Sequence, residues 1–397
     1  MTEPAHPSRH AAATRIAHAG RDPEGGPFVN PPVIHASTVL FESVAQMKGR
    51  SEKPARWTYG RRGTPTSEAL ERAISELEGA EGTVLTPSGA SACGTALLSV
   101  LGAGDHLLMI DSVYAPTRNI CDGLLKRFGV ETTYFDPLIG AGIADLIRPN
   151  TRAIFLEAPG SLTFEMPDVP AIVAAARGRD LLTLIDNTWA TPLFFRPLDR
   201  GVDMSIMAAT KYVVGHSDAL VGTIACGPRA WKRVKATHGD LGLFTGPDDM
   251  YLALRGLRTM AVRLAHQQKS ALALAEWFAA RPEVSRVLHP ALPSDPGHAI
   301  WKRDFSGASG LFGVVMKGGS DAAVDAFLDR LELFGLGYSW GGFESLAIPA
   351  DPRAVRTAVP WREEGSLLRF QIGLEDVGDL IADLDAGLAR WCAALAG

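Results

Sequence analysis

Cysteine is scarce in this chain, with four in 397 residues. Cys93, Cys121, Cys226 and Cys392 lie far apart and form no C-x-x-C pair. That argues against a disulfide framework or a thiolate zinc site and fits a reducing cytoplasm. Long apolar runs are missing too. No stretch approaches the roughly 18 uninterrupted apolar residues that span a bilayer. The opening MTEPAHPSRHAAATRIAHAG holds no hydrophobic segment of the signal-peptide kind. Neither a membrane-spanning nor a secreted protein is expected. An excess of positive charge is also absent. Lys and Arg number 39 against 44 Asp and Glu, a net charge of −5. This gives no electrostatic reason to expect nucleic acid or an anionic membrane as partner. Internal repeats and low-complexity tracts are not found.

What is present is an ordinary globular mixture, 46% hydrophobic and 21% charged. At about 100–200 residues per domain, a chain of this length makes two or three domains. The first 60 or so residues are rich in Pro, Gly and His and show little periodicity. They read as an extended arm (1–62), and a neighbouring subunit is one candidate for what it lies on. Regular pattern begins at Ser67–Glu78, where Ala69, Leu70, Ala73, Ile74 and Leu77 recur at helical spacing before Gly79. Short apolar runs follow at His106–Ile110, Val130–Phe135, Ala153–Leu156, Leu181–Ile185, Met204–Met207 and Val221–Ala225. Helical stretches around Ala90–Leu101, Thr117–Phe128 and Pro170–Arg177 lie between several of them. Strand alternating with helix predicts an α/β fold over 63–258, a mainly parallel sheet covered on both faces. Ligands of such sheets sit at the carboxyl ends of the strands. A long helical pattern from Asp249 to Ala280 links this part to the tail. There Leu311–Met316 and Leu367–Ile372 read as strands, and Asp321–Leu333 and Val377–Leu395 as helices. A smaller α+β domain over 259–397 is expected.

Several strand ends carry chemistry. Asp186 closes the run Leu181–Ile185, where it either caps a turn or points into the ligand crevice. Lys211 follows Met204–Met207, twenty-five residues after Asp186. A lysine at a strand mouth is usually just solvated. Beside a strand-end aspartate it also suits a Schiff base with pyridoxal phosphate, whose pyridinium nitrogen needs an acidic partner. Ser88-Gly89-Ala90 opens a helix, either as an ordinary N-cap or as a phosphate cradle built on backbone N–H groups. Thr210 offers that phosphate a hydroxyl. Tyr114, just past the strand ending at Ile110, either packs on a loop or stacks on a ring. Tyr59-Gly-Arg61-Arg62-Gly63 is a solvated turn or a phosphate-binding fork. Arg369 interrupts an apolar strand, facing solvent or binding a carboxylate opposite the Leu368 and Phe370 face. Tyr338-Ser339-Trp340 forms a tight loop whose aromatics are core or pocket. No metal site is expected.

Ten segments together resemble one family. They are TRIAHAGRDP (14–23), NPPVIHASTVLF (30–41), YGRRGTPT (59–66), SGA (88–90) and DSVYAPTRNICD (111–122). The series continues with EAPGSLTFEMPDV (157–169), DNTWATPLFFRPL (186–198), ATKYVVGHSD (209–218), YSWGGFESL (338–346) and LRFQIGLEDVGDL (368–380). In this order they are similar to the Cys/Met-metabolism pyridoxal-phosphate-dependent enzymes, with the fold-type I, aspartate aminotransferase-like architecture. The resemblance implies that Lys211 holds the cofactor as an internal aldimine and shuttles the substrate α-proton. It implies that Asp186 keeps the pyridinium protonated, that Gly89, Ala90 and Thr210 hold the phosphate, and that Tyr114 stacks on the ring. Tyr59 and Arg61 would reach the phosphate from a partner subunit of a homo-oligomer, expected as a tetramer built as a dimer of dimers. Arg369 would bind the substrate α-carboxylate, with Tyr338, Ser339 and Trp340 shaping that end.

Two departures matter. Much of the family has a serine two positions before the phosphate threonine, and this chain has Ala208. The γ-eliminating and γ-replacing members commonly carry glutamate where this chain has Tyr338. Both departures resemble the bacterial β-lyase branch. The implied reaction is β-cleavage of L-cystathionine to homocysteine, pyruvate and ammonia. The alternatives are cysteine or a cysteine S-conjugate as substrate, γ chemistry, or a regulatory protein that kept the fold.

Overall fold

A computed structural model describes residues 10–21 and 28–396. Residues 1–9 of the arm, and Asp22 and Pro23 at the end of the first family-like segment, lie outside the described residues.

The strands of the first sheet are β1 (Gly82–Thr86), β2 (His106–Ile110), β3 (Glu131–Phe135), β4 (Thr151–Glu157), β5 (Leu182–Asp186), β6 (Met204–Ala208) and β7 (Gly222–Cys226). Their order across the sheet is β1-β7-β6-β5-β4-β2-β3. Pairings from β6 to β3 are parallel, and β7 runs antiparallel to both β1 and β6. The strands read as near-continuous apolar runs because helices cover both faces. The helices Gly89–Leu98 and Val169–Arg177 share one core cluster with Leu107, Ile154, Phe155 and Leu184. In another, Pro65–Glu78 and Pro247–Leu257 pack with Leu85, Met207 and Tyr212. Each fully buried Leu or Phe contributes about 1.5–3 kcal/mol.

The helix Pro65–Glu78 shows why this sequence folds locally as it does. Thr64 and Ser67 form a reciprocal capping box, Pro65 opens the first turn, and Gly79 stops the helix in the left-handed conformation at φ 72°.

A second, antiparallel sheet has the order β10-β11-β9-β8, from β8 (Val284–Leu288), β9 (Leu311–Met316), β10 (Leu346–Ala350) and β11 (Leu367–Gln371). Its core gathers Phe278, Phe312, Phe327, Phe370 and Trp391. Trp189 ties the two sheets together, its Nε1 donating to the Leu311 carbonyl at 3.0 Å. So does Tyr212, whose hydroxyl accepts from the Gly310 N–H at 3.1 Å.

Three features differ from the sequence reading. The single helical pattern Asp249–Ala280 is two helices, Pro247–Leu257 and Met260–Ala279. The cause sits at the break. The Gly256 carbonyl is taken by the Arg263 side chain at 2.7 Å, and the same Nη2 donates to Tyr212 O at 2.8 Å. Within the arm, Ala12–His18 is helical and buries Ile16 against the helix Pro65–Glu78, so the arm is partly packed. Strands β1, β8 and β10 were not anticipated, for each is short and opens on or contains weak strand formers.

Candidate active site

The carboxyl ends of the parallel strands converge on one cavity of about 300 Å³. Asp186 is the last residue of β5, and Lys211 sits in the turn after the neighbouring β6, its N–H bonded to Ala208 O at 3.0 Å. Both line the cavity. Thr188 holds the aspartate by two bonds to Oδ1, from its N–H at 3.0 Å and its hydroxyl at 2.5 Å. The Ala208 N–H in turn donates to that hydroxyl at 2.9 Å, linking β6 to the aspartate. Burial pushes the Asp186 carboxyl up, while the Thr188 bonds and Lys211 pull it down.

Lys211 is placed between two partners. Its Nζ donates to Ser339 Oγ and lies 5.4 Å from the Trp340 ring centre. Burial, and then the Arg369 charge, lower its pKa to about 8. The site therefore holds a lysine that is readily available as a free amine. Ser339 has φ 86°, an uncommon conformation outside glycine. That conformation turns its carbonyl to accept from Arg369 Nη2 at 2.9 Å. Gly341, at φ 88°, is required for the same close approach, since a Cβ there would meet the Lys211 carbonyl carbon at 2.9 Å. Arg369 lies on β11 with Leu368 and Phe370 buried behind it, so its side chain faces the cavity.

Gly89 and Ala90 begin the helix Gly89–Leu98, whose first N–H groups have no intrahelical acceptor. Ser88 caps it, accepting from Ser91 N–H at 3.2 Å. Gly89 packs on Ala208, where a Cβ would come within 2.4 Å of the Ala208 Cβ. The missing serine hydroxyl at 208 thus coincides with a close contact between helix and strand. Thr210 lines the same end and exchanges bonds with Val221. Tyr114 lines the opposite side, four residues beyond β2. A helix N-terminus, an amine of lowered pKa and a strand-end acid fit a phosphorylated aldehyde with a basic ring nitrogen.

Four of the sequence-derived residues do not line this cavity, and of these only Ser339 is tied to it, through its bond to Lys211. Tyr59 is 44% exposed and Arg61 donates to Gly239 O at 3.1 Å. Tyr338 is 92% exposed. Sequence reasoning also missed contributors. Glu157, the last residue of β4, lines the cavity beside Asp186. Pro352, Val355 and Arg356 bring a wall from the second sheet's side. Glu157 was visible as a strand-end acid, whereas nothing in the sequence signalled the 352–356 wall.

This fold and this site define a pyridoxal-phosphate-dependent enzyme of fold-type I. Residues 13–389 match the family described as Cys/Met metabolism PLP-dependent enzymes, and the chain belongs to that family. It is 46% identical over 388 residues to a cystathionine beta-lyase of Escherichia coli (strain K12), covering 95% of this chain and 98% of that one. It is 33% identical over 393 residues to a cystathionine gamma-lyase of Mus musculus, covering 96% of each. A cystathionine gamma synthase of Xanthomonas oryzae pv. oryzae, crystallised with aminoacrylate and cysteine, superposes with a TM-score of 0.89 at 32% identity. That match covers 98% of this chain and 100% of the other. Among the described residues no helix is long and apolar enough to cross a membrane, and no cluster of potential metal ligands is found.

Proposed function

We propose that the protein is a carbon–sulfur β-lyase that cleaves L-cystathionine to homocysteine, pyruvate and ammonia. The observation that carries this reading is Lys211, with its pKa lowered to about 8, facing Asp186 from the adjacent strand end. Pyridoxal phosphate, when bound, supplies the electron sink that makes the substrate α-proton acidic. Lys211 anchors the cofactor and then moves that proton at its Nζ. Asp186, oriented by Thr188, keeps a negative charge facing the ring nitrogen. Gly89, Ala90 and Thr210 receive the phosphate. Arg369 holds the substrate α-carboxylate, while Ser339 and Trp340 fix Lys211 and close that end. Greater identity to the β-lyase than to the γ-lyase, and Tyr338 in place of glutamate, favour β over γ cleavage.

The assembly is proposed as a homo-oligomer, a tetramer built as a dimer of dimers. Among the described residues no arginine lines the phosphate end of the cavity, while Tyr59 sits exposed and Arg61 half-buried on the arm. Reaching into a partner's cavity gives them that role. The arm (1–62), the cofactor-binding part (63–258) and the smaller part (259–397) are the proposed domains. A reducing cytoplasm is proposed as the compartment, supported by four unpaired cysteines.

The test is a coupled pyruvate assay on cofactor-loaded protein with cystathionine, cysteine and an S-substituted cysteine in parallel. Pyruvate with stoichiometric homocysteine is expected, and Lys211→Ala should abolish turnover while retaining reversible cofactor binding. Release of 2-oxobutyrate in place of pyruvate would move the protein to the γ branch. Faster turnover of the other substrates would keep the chemistry and change the substrate. Neither keto acid would leave a regulatory role.

A further inference from the structure

Glu157 is out of place for an ordinary structural residue. It ends β4 directly opposite Asp186 at the end of β5, so two carboxyl groups stand side by side at the cavity. Among the described residues it has no ion-pair partner. Adjacent acids on neighbouring strands oppose one another, so something must offset the arrangement. The one hydrogen bond that the Glu157 side chain makes among the described residues is short. Its Oε2 accepts from the backbone N–H of Tyr114 at 2.7 Å.

That N–H belongs to the residue that opens the helix Ala115–Asn119. The Tyr114 carbonyl already accepts from Thr117 and Arg118 at 2.9 and 3.1 Å. The Tyr114 backbone is thus held on one side by the helix's first turn and on the other by Glu157 alone. The tyrosine side chain is 42% exposed and makes no hydrogen bond among the described residues. Where its ring stands over the cavity is therefore set by its backbone. We propose that Glu157 is a positioning residue, which aims the Tyr114 ring at the cofactor by accepting its backbone N–H. This inference rests on the proposed stacking role of Tyr114.

The electrostatics fix the form in which Glu157 acts. Burial, then the Asp186 charge, push its carboxyl well above the usual range, against the single opposing bond from Tyr114. Asp186 has two donors from Thr188 and the nearby Lys211 to hold its charge. Of the two carboxyls, that of Glu157 is pushed further toward its neutral form, in which it still accepts from the Tyr114 N–H.

A neutral acceptor of the same size is glutamine, which makes the proposal sharply testable. Glu157→Gln and Glu157→Met are compared with wild type by titrating the cofactor-free proteins with pyridoxal 5′-phosphate. The readouts are the dissociation constant and the circular dichroism of the cofactor band, with thermal unfolding as the folding control. Glu157→Gln should bind within about two-fold of wild type with an unchanged cofactor band. Glu157→Met should bind about three- to ten-fold more weakly, the worth of one hydrogen bond, with an altered band. Equal damage in both variants would overturn the proposal and give Glu157 a charge role. A wild-type band in Glu157→Met would overturn it as well. Should Glu157→Met not fold, a glutamine variant with a changed band refutes the proposal by itself. Failure of the wild type to bind the cofactor would instead refute the cofactor reading on which this rests.

Discussion

Asp111 is the most heavily bonded acid at the site, and its removal tests how the cavity is assembled. It follows β2 directly and is fully buried. Its Oδ1 accepts from Arg118 at 2.7 Å and from the Thr357 N–H at 3.0 Å. Its Oδ2 accepts from Arg356 Nε at 3.0 Å and the Val359 N–H at 2.9 Å. Arg356 also reaches Glu165 at 2.7 Å. The side chains of Arg118 and Arg356 are only 5% and 2% exposed. One carboxylate therefore fastens the segment 352–359, which walls the cavity, to the cofactor-binding sheet. Asp111→Asn keeps the shape but leaves buried Arg118 facing an amide and Arg356 with Glu165 as its one acidic partner. Breaking a buried pair in this way costs about 3–5 kcal/mol, enough to release the segment locally. Of the residues proposed for the cofactor, Tyr114 shares the segment after β2 with Asp111, and the others lie on other elements. The expected result is a KM at least about ten-fold higher, with cofactor affinity changed much less, measured in the pyruvate assay and by cofactor absorbance. Arg356→Met in the same background should recover part of the loss, because it removes one guanidinium left facing the amide. An unchanged KM, or loss of cofactor ahead of substrate, would refute this assignment. These bonds hold the Asp111 carboxyl well below its usual range despite burial. Its folded pKa lies under its unfolded one, so the clamp is fully present above about pH 4. It is lost only as pH falls toward the depressed value.

Three further outcomes follow from individual residues. Glu78 is buried with one carboxyl oxygen unbonded, and burial raises its pKa from 4.5 to about 7. The folded protein then keeps a proton that the unfolded chain releases, so stability falls as pH rises from about 4.5 to 7. Glu78→Gln should stabilise by up to about 3 kcal/mol at pH 8 and by little at pH 4.5, and a pH-independent difference in thermal unfolding would contradict this. With its pKa near 8, about a tenth of Lys211 is free amine at pH 7, against roughly one in 3,000 for an ordinary lysine. The rate of cofactor capture by cofactor-free protein should rise through pH 7–8 and level off above it, and a rise continuing to pH 10 would contradict the lowered pKa. Gly89→Ala drives a methyl into Ala208, an overpacking worth about 1–3 kcal/mol. Cofactor affinity should fall, and Ala208→Gly should restore it.

The α/β alternation was readable because apolar strands and periodic helices differ in length and period. His106–Ile110 was placed at its true limits, and most other strands fell within a residue or two. What escaped were features set by distant contacts. At the break after Leu257, Arg263 bridges the Gly256 carbonyl to that of Tyr212, far earlier in the chain, and no local signal marks it. Strand β10 contains Pro349 and lies at a sheet edge, where proline is tolerated but strand pattern is weak. The wall at 352–356 is unseen for a related reason. It is an irregular segment whose place is fixed by Asp111, more than two hundred residues earlier.

The site shows the same limit in its acids. Asp111, Glu157 and Asp186 stand at the carboxyl ends of β2, β4 and β5, neighbours across one sheet edge. In the sequence they look alike, each an acid closing an apolar run. Two guanidinium groups drive the Asp111 carboxyl down and make it a clamp. Thr188 and Lys211 oppose the burial of Asp186 and keep it usable as a charge. Glu157, offered a single N–H and the Asp186 charge, is pushed toward its neutral form. Strand position supplies the acid, and the long-range partners decide its protonation. A sequence reading therefore finds where chemistry is possible, while the choice among clamp, counter-ion and neutral acceptor comes from residues that the fold alone brings near.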